Sequence, residues 1–274
     1  MLKKELEWIQ QSPRARQSKS RARITAYDNL LRQSQERKPE NAQIIIPVAP
    51  RLGNLVLEAK NISKAFENKL LIEDLNFSLP PGGIVGVIGP NGAGKTSLIS
   101  IICGIVKPTS GKIFFADKNL SELNDYEINK IRKYKMSLIF QNNNLISDLN
   151  VIENIMLPLL IRNENHKKSF EKSKKILSLV NLSNRWDFFP SDLSGGEQQR
   201  VAIARSLIAQ TDLILADEPT GNLDFKTSRE IFNYFLKLKK MKKTILFATH
   251  NRELAKKADY TLSLVDGVIK RVNV

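Results

Sequence analysis

Residues 89–96 contain glycine, lysine and threonine at a spacing that can bind the phosphates of a nucleotide. They read Gly-Pro-Asn-Gly-Ala-Gly-Lys-Thr and directly follow the apolar run Ile84–Ile88. Glycines allow successive backbone N–H groups to turn towards phosphate oxygens, and a helix that begins at the loop adds its positive dipole end. In such a loop Lys95 reaches the β- and γ-phosphates and Thr96 binds Mg²⁺. A glycine-rich turn could match by chance, but the predicted strand before it and the predicted helix after it disfavour that alternative.

A second candidate feature is a pair of carboxylates at the end of a buried strand. Residues 213–216 are four successive apolar residues, and Asp217 and Glu218 follow them. Asp217 is predicted to coordinate Mg²⁺, directly or through a water molecule. Glu218 is predicted to orient and deprotonate an attacking water molecule. The alternative for this segment taken alone is a strand that ends in an acidic turn.

The elements that must position these residues alternate between strands and helices, which predicts a largely parallel α/β core. Strands are predicted at Leu55–Ala59, Ile84–Ile88, Leu138–Phe140, Leu213–Asp217, Thr244–Thr249 and Thr261–Val265. Helices are predicted at Lys95–Cys103, Val151–Ile161, Lys167–Val180, Glu197–Ala209, Lys226–Leu238 and Arg252–Lys257. Before this core, residues 1–38 are predicted to be helical, and Pro39, Pro47 and Pro50 mark residues 39–54 as a linker.

The composition of the 274 residues excludes several classes of protein. The apolar fraction of 42% and the charged fraction of 26% are typical of a folded globular protein. The single cysteine, Cys103, excludes an internal disulfide framework, and the two histidines, His166 and His250, leave no room for a histidine-rich metal site. No apolar run approaches the ~18 residues that a membrane span needs, so we expect another chain to supply the spans if the protein acts at a membrane.

The positive charge is concentrated towards the N-terminus. The net charge is +15, and residues 1–50 hold ten Lys and Arg against five Asp and Glu. Residues 11–24 contain five basic residues and no acidic one. Such a segment suits phosphate backbones or anionic surfaces, and a solvated helix face that only keeps the protein soluble is an equally good interpretation of the charge.

Residues 193–200 read Leu-Ser-Gly-Gly-Glu-Gln-Gln-Arg and precede the acidic pair. This is the signature sequence of the ATP-binding cassette (ABC) ATPases, and the chain resembles that family over about residues 52–274. Further family motifs occur in order: Phe66 matches the aromatic residue that stacks on adenine, Gln141 the Q-loop, Leu223-Asp224 the D-loop and His250 the switch histidine.

The resemblance implies a P-loop ABC nucleotide-binding domain, which is an α/β fold with an antiparallel β subdomain and a helical subdomain. A basic helical extension over residues 1–51 would precede it. The implied cofactors are ATP and Mg²⁺, and the implied reaction is ATP hydrolysis with Glu218, His250 and Lys95 as catalytic residues. The implied metal-binding residues are Thr96, Gln141 and Asp217. The implied ATP-binding residues are Phe66, Gly89, Asn91, Gly92, Ala93, Gly94, Lys95, Thr96, Ser97, Gln141, Ser194, Gly195, Gly196 and Asp224.

In this family the signature residues act only in a dimer. Ser194 and Gly196 would lie at a helix N-terminus that faces the γ-phosphate held by the phosphate loop of a partner. Because the sequence carries one such domain, we expect it to pair with a second ABC domain, either another copy of the same chain or a related one.

Two finer resemblances disagree on what the ATPase drives. Residues 1 to about 96 resemble the second half of the ABC-F proteins of the energy-dependent translational throttle type, through residues 5–9, 12–23, 50–58 and 81–91. In that family the basic helices belong to a linker between two cassettes and contact ribosomal and transfer RNA. This sequence carries one cassette.

From about residue 105 the chain resembles the transporter ATPases of the lipoprotein-releasing, macrolide-exporter and cell-division group. Residues 140–145, 151–160, 193–205 and 217–224 carry this resemblance, and residues 249–255 and 266–267 are most similar to the lipoprotein-releasing subunits. In exporters the helical subdomain, here between Gln141 and Ser194, forms the groove that receives a membrane subunit.

Three hypotheses therefore remain open from the sequence. The first is a transport ATPase subunit with integral membrane permease partners, cytoplasmic and peripheral at the inner face of the cell membrane. The second is a ribosome-associated translation factor that binds RNA through the basic residues 1–38. The third is a cassette that hydrolyses ATP without either partner. If the two halves derive from a fusion, residues 1–45 are expected to be mobile or only loosely docked.

Overall fold

The computed structural model describes residues 56–67, 69–221, 223–265 and 267–272. Within these ranges the chain forms ten strands: β1 (Leu57–Phe66), β2 (Lys69–Leu79), β3 (Ile84–Ile88), β4 (Ser110–Phe115), β5 (Lys118–Asn119), β6 (Met136–Ile139), β7 (Leu213–Asp217), β8 (Thr244–Thr249), β9 (Tyr260–Val265) and β10 (Val268–Val272). The same ranges contain seven α-helices: α1 (Lys95–Ile102), α2 (Asp125–Lys135), α3 (Val151–Ile161), α4 (His166–Leu179), α5 (Gly195–Ile208), α6 (Phe225–Lys240) and α7 (Arg252–Ala255). The helix predicted for residues 1–38, the linker of residues 39–54 and the loose docking predicted for residues 1–45 fall outside the described ranges.

Five parallel strands and one antiparallel edge strand form the larger sheet, in the order β10-β9-β3-β8-β7-β6. Parallel strands all end at the same edge of a sheet, and in open α/β sheets ligands bind at that edge. The ends of β3, β7 and β8 therefore bring together the phosphate loop, the pair Asp217 and Glu218, and His250. The end of β6 adds Gln141 to the same edge.

The larger sheet is buried on both faces, as expected for parallel strands. Alternate residues of β7 pack into different cores: Leu213 and Leu215 on one side of the sheet, Ile214 and Ala216 on the other. The first core joins the larger sheet to α1 and to the strands of the smaller sheet. The second core joins it to α3, α5 and α6 and includes the aromatic cluster Phe232, Phe235 and Phe247.

The smaller sheet is antiparallel, with the strand order β2-β1-β4-β5, and this confirms the predicted β subdomain. It stands close behind the phosphate loop, because a Cβ placed on Gly94 would lie 3.1 Å from the Leu71 side chain in β2. The backbone N–H of Glu73 in β2 donates to the carbonyl of Gly267 at 2.8 Å, which ties this sheet to the turn between β9 and β10.

The helical subdomain consists of α3 and α4, which pack against each other and against α5. Asn150 begins α3, and the Asn150 and Glu153 side chains bond each other's backbone N–H in a capping box. The next two N–H groups of α3 donate to carbonyls just before the signature, from Val151 to Phe188 at 2.8 Å and from Ile152 to Trp186 at 2.9 Å. The start of α3 and the approach to the signature are thereby held together.

Most predicted elements are confirmed, and the differences have physical reasons. The strand predicted at Leu138–Phe140 begins two residues earlier and ends one residue earlier, and the one predicted at Leu55–Ala59 extends to Phe66. The sequence prediction missed β2, β4, β5, β10 and α2. Register shifts interrupt the pairing of β1 with β2, and they weaken the alternation of apolar and polar residues by which a strand is predicted. Helix α2 was missed because it buries only Ile128 and so shows no apolar stripe.

In the part of the chain that the structure describes, no helix is both long and apolar enough to cross a membrane.

Candidate functional site

The phosphate loop is shaped by glycines that no larger residue replaces without strain. Gly94 begins α1 with φ +96°, in the left-handed region that favours glycine. Gly89 has no room for a side chain, because a Cβ there would lie 2.3 Å from the carbonyl oxygen of Leu264 in β9. The loop therefore lies against the sheet at one end and turns into the helix at the other, and the first N–H groups of α1 have no partner within the helix.

We expect Gly89→Ala to lower the free energy of unfolding by about 1–3 kcal/mol, because the Leu264 carbonyl must move to admit a methyl group. For a chain of this size the melting temperature should fall by roughly 2–4 °C for each kcal/mol. Gly195→Ala is the matched control, since no atom lies within 4 Å of a Cβ placed there. Thermal unfolding of both variants measures the difference, and equal melting temperatures would contradict the close approach at Gly89.

Lys95 places a buried positive charge below this loop. Its Nζ donates to the carbonyls of Gly89 at 2.8 Å and Pro90 at 3.1 Å, and it lies 3.3 Å from Glu218 Oε1. The side chains of Lys95 and Glu218 are both nearly inaccessible to solvent. At this burial a charge is stabilised by the groups around it and not by water, so an anion that enters the loop meets a cation that is little screened.

Asp217 and Thr96 form an oxygen-rich pair beside the lysine. Burial raises the pKa of Asp217 and the Glu218 carboxylate adds to the rise, while the hydrogen bond with Thr96 and the charge of Lys95 act in the opposite direction. Asp217 Oδ1 is buried and has no hydrogen-bond partner among the described residues. A carboxylate oxygen without a partner, next to a hydroxyl, is the hard oxygen donor set that Mg²⁺ prefers, so these residues fit the predicted metal.

Glu218 is held in a strained backbone conformation by its neighbours. Its φ is +44°, an unfavourable value for a residue with a long side chain. Its backbone N–H donates to the carbonyl of Ala248 at 3.0 Å, which anchors the residue to the end of β8. Its Oε2 accepts the backbone N–H of His250 at 3.2 Å and lies 2.9 Å from His250 Nδ1. The carboxylate and the imidazole therefore form a hydrogen-bonded pair at the mouth of the site.

A cleft of 580 Å³ brings most of the predicted residues together. It is lined by Asn91, Gly92, Gly94, Lys95, Thr96, Ser97, Gln141, Glu218 and His250, and also by Leu71 and Gly221. The prediction missed the last two. Gly221 follows the acidic pair closely enough to be inferred from the sequence, whereas Leu71 lies in the unpredicted β2 and carries no chemical signal.

The other predicted residues do not line this cleft. Gly89 and Ala93 belong to the phosphate loop. Phe66 ends β1 with its ring exposed, and the Lys64 ammonium lies 4.7 Å from the centre of that ring. Asp224 caps the N-terminus of α6 by accepting the N–H of Thr227 at 3.0 Å. Hydrogen bonds from the Thr227 side chain and backbone lower the pKa of Asp224.

The signature residues form the exposed start of α5. Ser194 and Glu197 make a capping box in which the Ser194 hydroxyl donates to Glu197 Oε2 at 2.8 Å and accepts the Glu197 N–H at 3.3 Å. Bonds from the backbone and side chain of Ser194 lower the pKa of Glu197. Gly195 has open space beside it, whereas Gly196 packs near Thr227. In this chain, therefore, the helix N-terminus is accessible but does not line the 580 Å³ cleft.

A phosphate loop, a buried carboxylate pair and an accessible signature helix on one sheet define a nucleotide-hydrolysing domain of the P-loop class. Comparison with known proteins narrows the class. The family model described as ABC transporter matches residues 72–221. The chain belongs to the ABC transporter family.

Relatives and solved structures agree with this assignment. The chain is 42% identical over 80% of its length to the lipoprotein-releasing system ATP-binding protein LolD of Rickettsia bellii, and the match spans 99% of that protein. It is 38% identical to LolD of Wigglesworthia glossinidia brevipalpis over 81% of this chain and all of that one. Among solved structures it resembles the dimeric post-hydrolysis state of the ATP-binding cassette MJ0796 bound to ADP and Pi, with a TM-score of 0.75 and 32% identity over 78% of this chain and 97% of that one.

The predicted fold and ATPase activity are thereby confirmed, as is the resemblance to the lipoprotein-releasing group. The chain is an ATP-binding, ATP-hydrolysing ABC transporter subunit. The relatives reported above carry transporter names, so the ribosome hypothesis for residues 1–38 gains no support from them and stays a prediction.

Proposed function

We propose that this subunit powers the release of lipoproteins from a membrane, as a dimer of ABC domains bound to integral membrane permease subunits. The observation that carries the proposal is the similarity to LolD, which is substantial and extends over 99% of the Rickettsia bellii protein. The subunit would then act in the cytoplasm, peripheral to the inner face of the cell membrane. We also propose that residues 1–51 are a basic extension separate from the ABC domain of residues 52–274.

The proposed catalytic groups are Glu218, His250 and Lys95. Glu218 lies beside both other groups, so it is placed to accept a proton from the attacking water while His250 orients that water and the γ-phosphate. Lys95 would move from its two carbonyls to the phosphates and stabilise charge on the transferred group. Thr96, Asp217 and Gln141 would hold Mg²⁺, which neutralises phosphate charge when bound.

The proposed ATP contacts are divided between two subunits. Residues 89–97 and Gln141 would bind the nucleotide within one subunit, and Phe66 would stack on the adenine. The nucleotide bound by the partner subunit would be contacted by Ser194, Gly195, Gly196 and Asp224. The accessible start of α5 supports this division, as does the dimeric assembly of MJ0796 among the solved relatives.

A groove on the helical side of the domain supports the permease contact. Its 460 Å³ are lined by residues of α2, α3 and α5 and by β6. Met136, Leu138 and Pro158 give it an apolar floor, and Arg132 and Lys133 add positive charge from the last turn of α2. This combination suits a short amphipathic helix with an acidic residue, which we propose the permease supplies.

We expect Ile161→Glu to prevent capture of the permease, because Ile161 lines the groove and its side chain is 59% exposed. The matched control is Leu179→Glu, since Leu179 is 54% exposed at the end of α4 and does not line the groove. Tagged proteins are purified with ATP and Mg²⁺ from gently detergent-treated cells, and integral membrane proteins and ribosomal RNA are counted. Equal capture by both variants would place the contact elsewhere, and salt-resistant ribosomes in place of permease would favour the translation hypothesis.

The transported substrate is tested with the purified complex in lipid vesicles that contain a labelled lipoprotein. We expect ATP to drive transfer of the lipoprotein from the vesicles to a soluble acceptor, and Glu218→Gln to abolish the transfer. Retention of the lipoprotein by a complex that hydrolyses ATP would refute lipoprotein release while leaving the transporter assignment intact.

A further inference from the structure

We propose that Arg205 is a positioning residue for Gln141, because it fastens the loop after Gln141 to the signature helix. The inference rests on the role proposed above for Gln141 in binding Mg²⁺ and the nucleotide. It adds a residue from the far end of α5 to the machinery of hydrolysis, although Arg205 does not line the 580 Å³ cleft.

The Arg205 side chain donates hydrogen bonds to two successive backbone carbonyls. Its Nη1 donates to the carbonyl of Asn144 and its Nη2 to the carbonyl of Asn143, both at 2.7 Å. The rigid fork of a guanidinium fixes the direction of two acceptors at once, which a single ammonium does not do.

The two residues whose carbonyls Arg205 binds have an uncommon backbone conformation. Asn143 and Asn144 both have φ +46°. Asparagine tolerates this left-handed region better than most residues, but two such residues in succession are uncommon. Two left-handed residues in succession need support from their surroundings. The two bonds from Arg205 supply part of that support, together with the bond from the Asn143 N–H to the carbonyl of Phe140 at 3.3 Å, at a point two residues after Gln141.

The other end of the same loop is fixed independently. Asn154 in α3 is fully buried, accepts the N–H of Ile146 at 2.8 Å, and donates to the carbonyls of Ile146 at 3.0 Å and Leu149 at 2.8 Å. The loop from residue 141 to residue 150 is therefore held by Asn154 near α3 and by Arg205 near Gln141. Loss of Arg205 would free only the half that carries Gln141.

A purely structural role for Arg205 is the alternative, and Arg162 provides the matched control. Arg162 also donates to backbone carbonyls, from Nε and Nη2 to Lys133 at 2.8 and 2.5 Å and from Nη1 to Ala209 at 2.7 Å. It joins the ends of α2, α3 and α5, and none of its bonds reaches residues 141–150. A variant at Arg162 removes the same kind of bond to the same helix, through Ala209 at the end of α5, without touching the Gln141 loop.

The experiment measures ATP turnover of Arg205→Met and Arg162→Met, each alone and combined with Gln141→Ala. Arg205→Met should lower kcat about tenfold, because it lets Gln141 move from its position. In the Gln141→Ala background the Arg205→Met change should have no further effect, because the side chain through which it acts is gone. Arg162→Met should have the same small effect in both backgrounds.

Each outcome of this experiment bears on a different statement. Multiplicative losses for Arg205→Met and Gln141→Ala would overturn the positioning role and leave the role of Gln141 intact. Normal turnover of Gln141→Ala alone would refute the proposed role of Gln141, and the inference with it. If Arg205→Met does not fold, Arg205→Lys keeps the charge but loses the fork, and the same dependence on Gln141 is expected.

Discussion

Glu218→Gln is expected to reduce ATP turnover by about 10²–10⁴-fold, the range typical of losing a general base. The amide cannot accept the proton of the attacking water, yet it keeps the shape of the side chain and can still bond to His250. ATP binding should therefore survive, and the dimer with ATP and Mg²⁺ should accumulate because it is not consumed. Turnover is measured by phosphate release, and dimerisation by light scattering with and without ATP.

The matched control for this substitution is Glu122→Gln. Glu122 forms an exposed ion pair with Lys112 at 3.2 Å, close to the 3.3 Å of the buried pair Glu218 and Lys95. The control also removes the carboxylate partner of a lysine, at nearly the same distance, but outside the site. Turnover should stay within about twofold of the unchanged protein, since exposed ion pairs contribute little. Unchanged turnover in Glu218→Gln would remove Glu218 from its proposed role.

The second large effect is expected from Lys95→Met. The substitution removes the buried cation that would bind the phosphates, and we expect ATP affinity to fall about tenfold or more and turnover about 100-fold. It also leaves the Gly89 and Pro90 carbonyls and Glu218 without their shared partner. Isothermal titration with ATP and a phosphate-release assay give the two numbers.

The stability of Lys95 variants separates the structural from the catalytic part of this effect. Lys95→Met alone leaves the buried Glu218 carboxylate without its neighbouring ammonium group, with only the hydrogen bonds to His250, and should lower the melting temperature. Adding Glu218→Gln removes that carboxylate charge, so the double variant should recover melting temperature but no activity. Lys112→Met, at the exposed pair, should change neither property. Full ATP affinity in folded Lys95→Met would contradict the proposed phosphate contact.

The sequence was most informative where a strand runs directly into a motif. The strands β3, β7 and β8 were predicted with their observed bounds, because each is a short apolar run and each ends at a residue with recognisable chemistry. Parallel pairing then brings those ends together without further information. The antiparallel strand β2 was missed, since its bulged pairing breaks the alternation that sequence patterns detect.

The contacts of Arg205 could not be predicted, and the reason is general. Its partners are the carbonyls of Asn143 and Asn144, and every residue type carries a backbone carbonyl. Only the backbone path decides which carbonyls point towards the guanidinium. The left-handed φ of Glu218 could not be predicted either, because glutamate disfavours this conformation and a sequence pattern therefore does not indicate it.

The conformation of Glu218 implies a conflict between two kinds of selection. Where φ is +44°, glycine or asparagine would relieve the strain, so a sequence optimised for folding alone would not place glutamate there. In the role proposed for Glu218, hydrolysis requires a carboxylate at this point, so the domain keeps a conformation that another residue would avoid. Variants recovered by screening only for thermal resistance should therefore accumulate changes at residue 218 that stabilise the fold and end its chemistry.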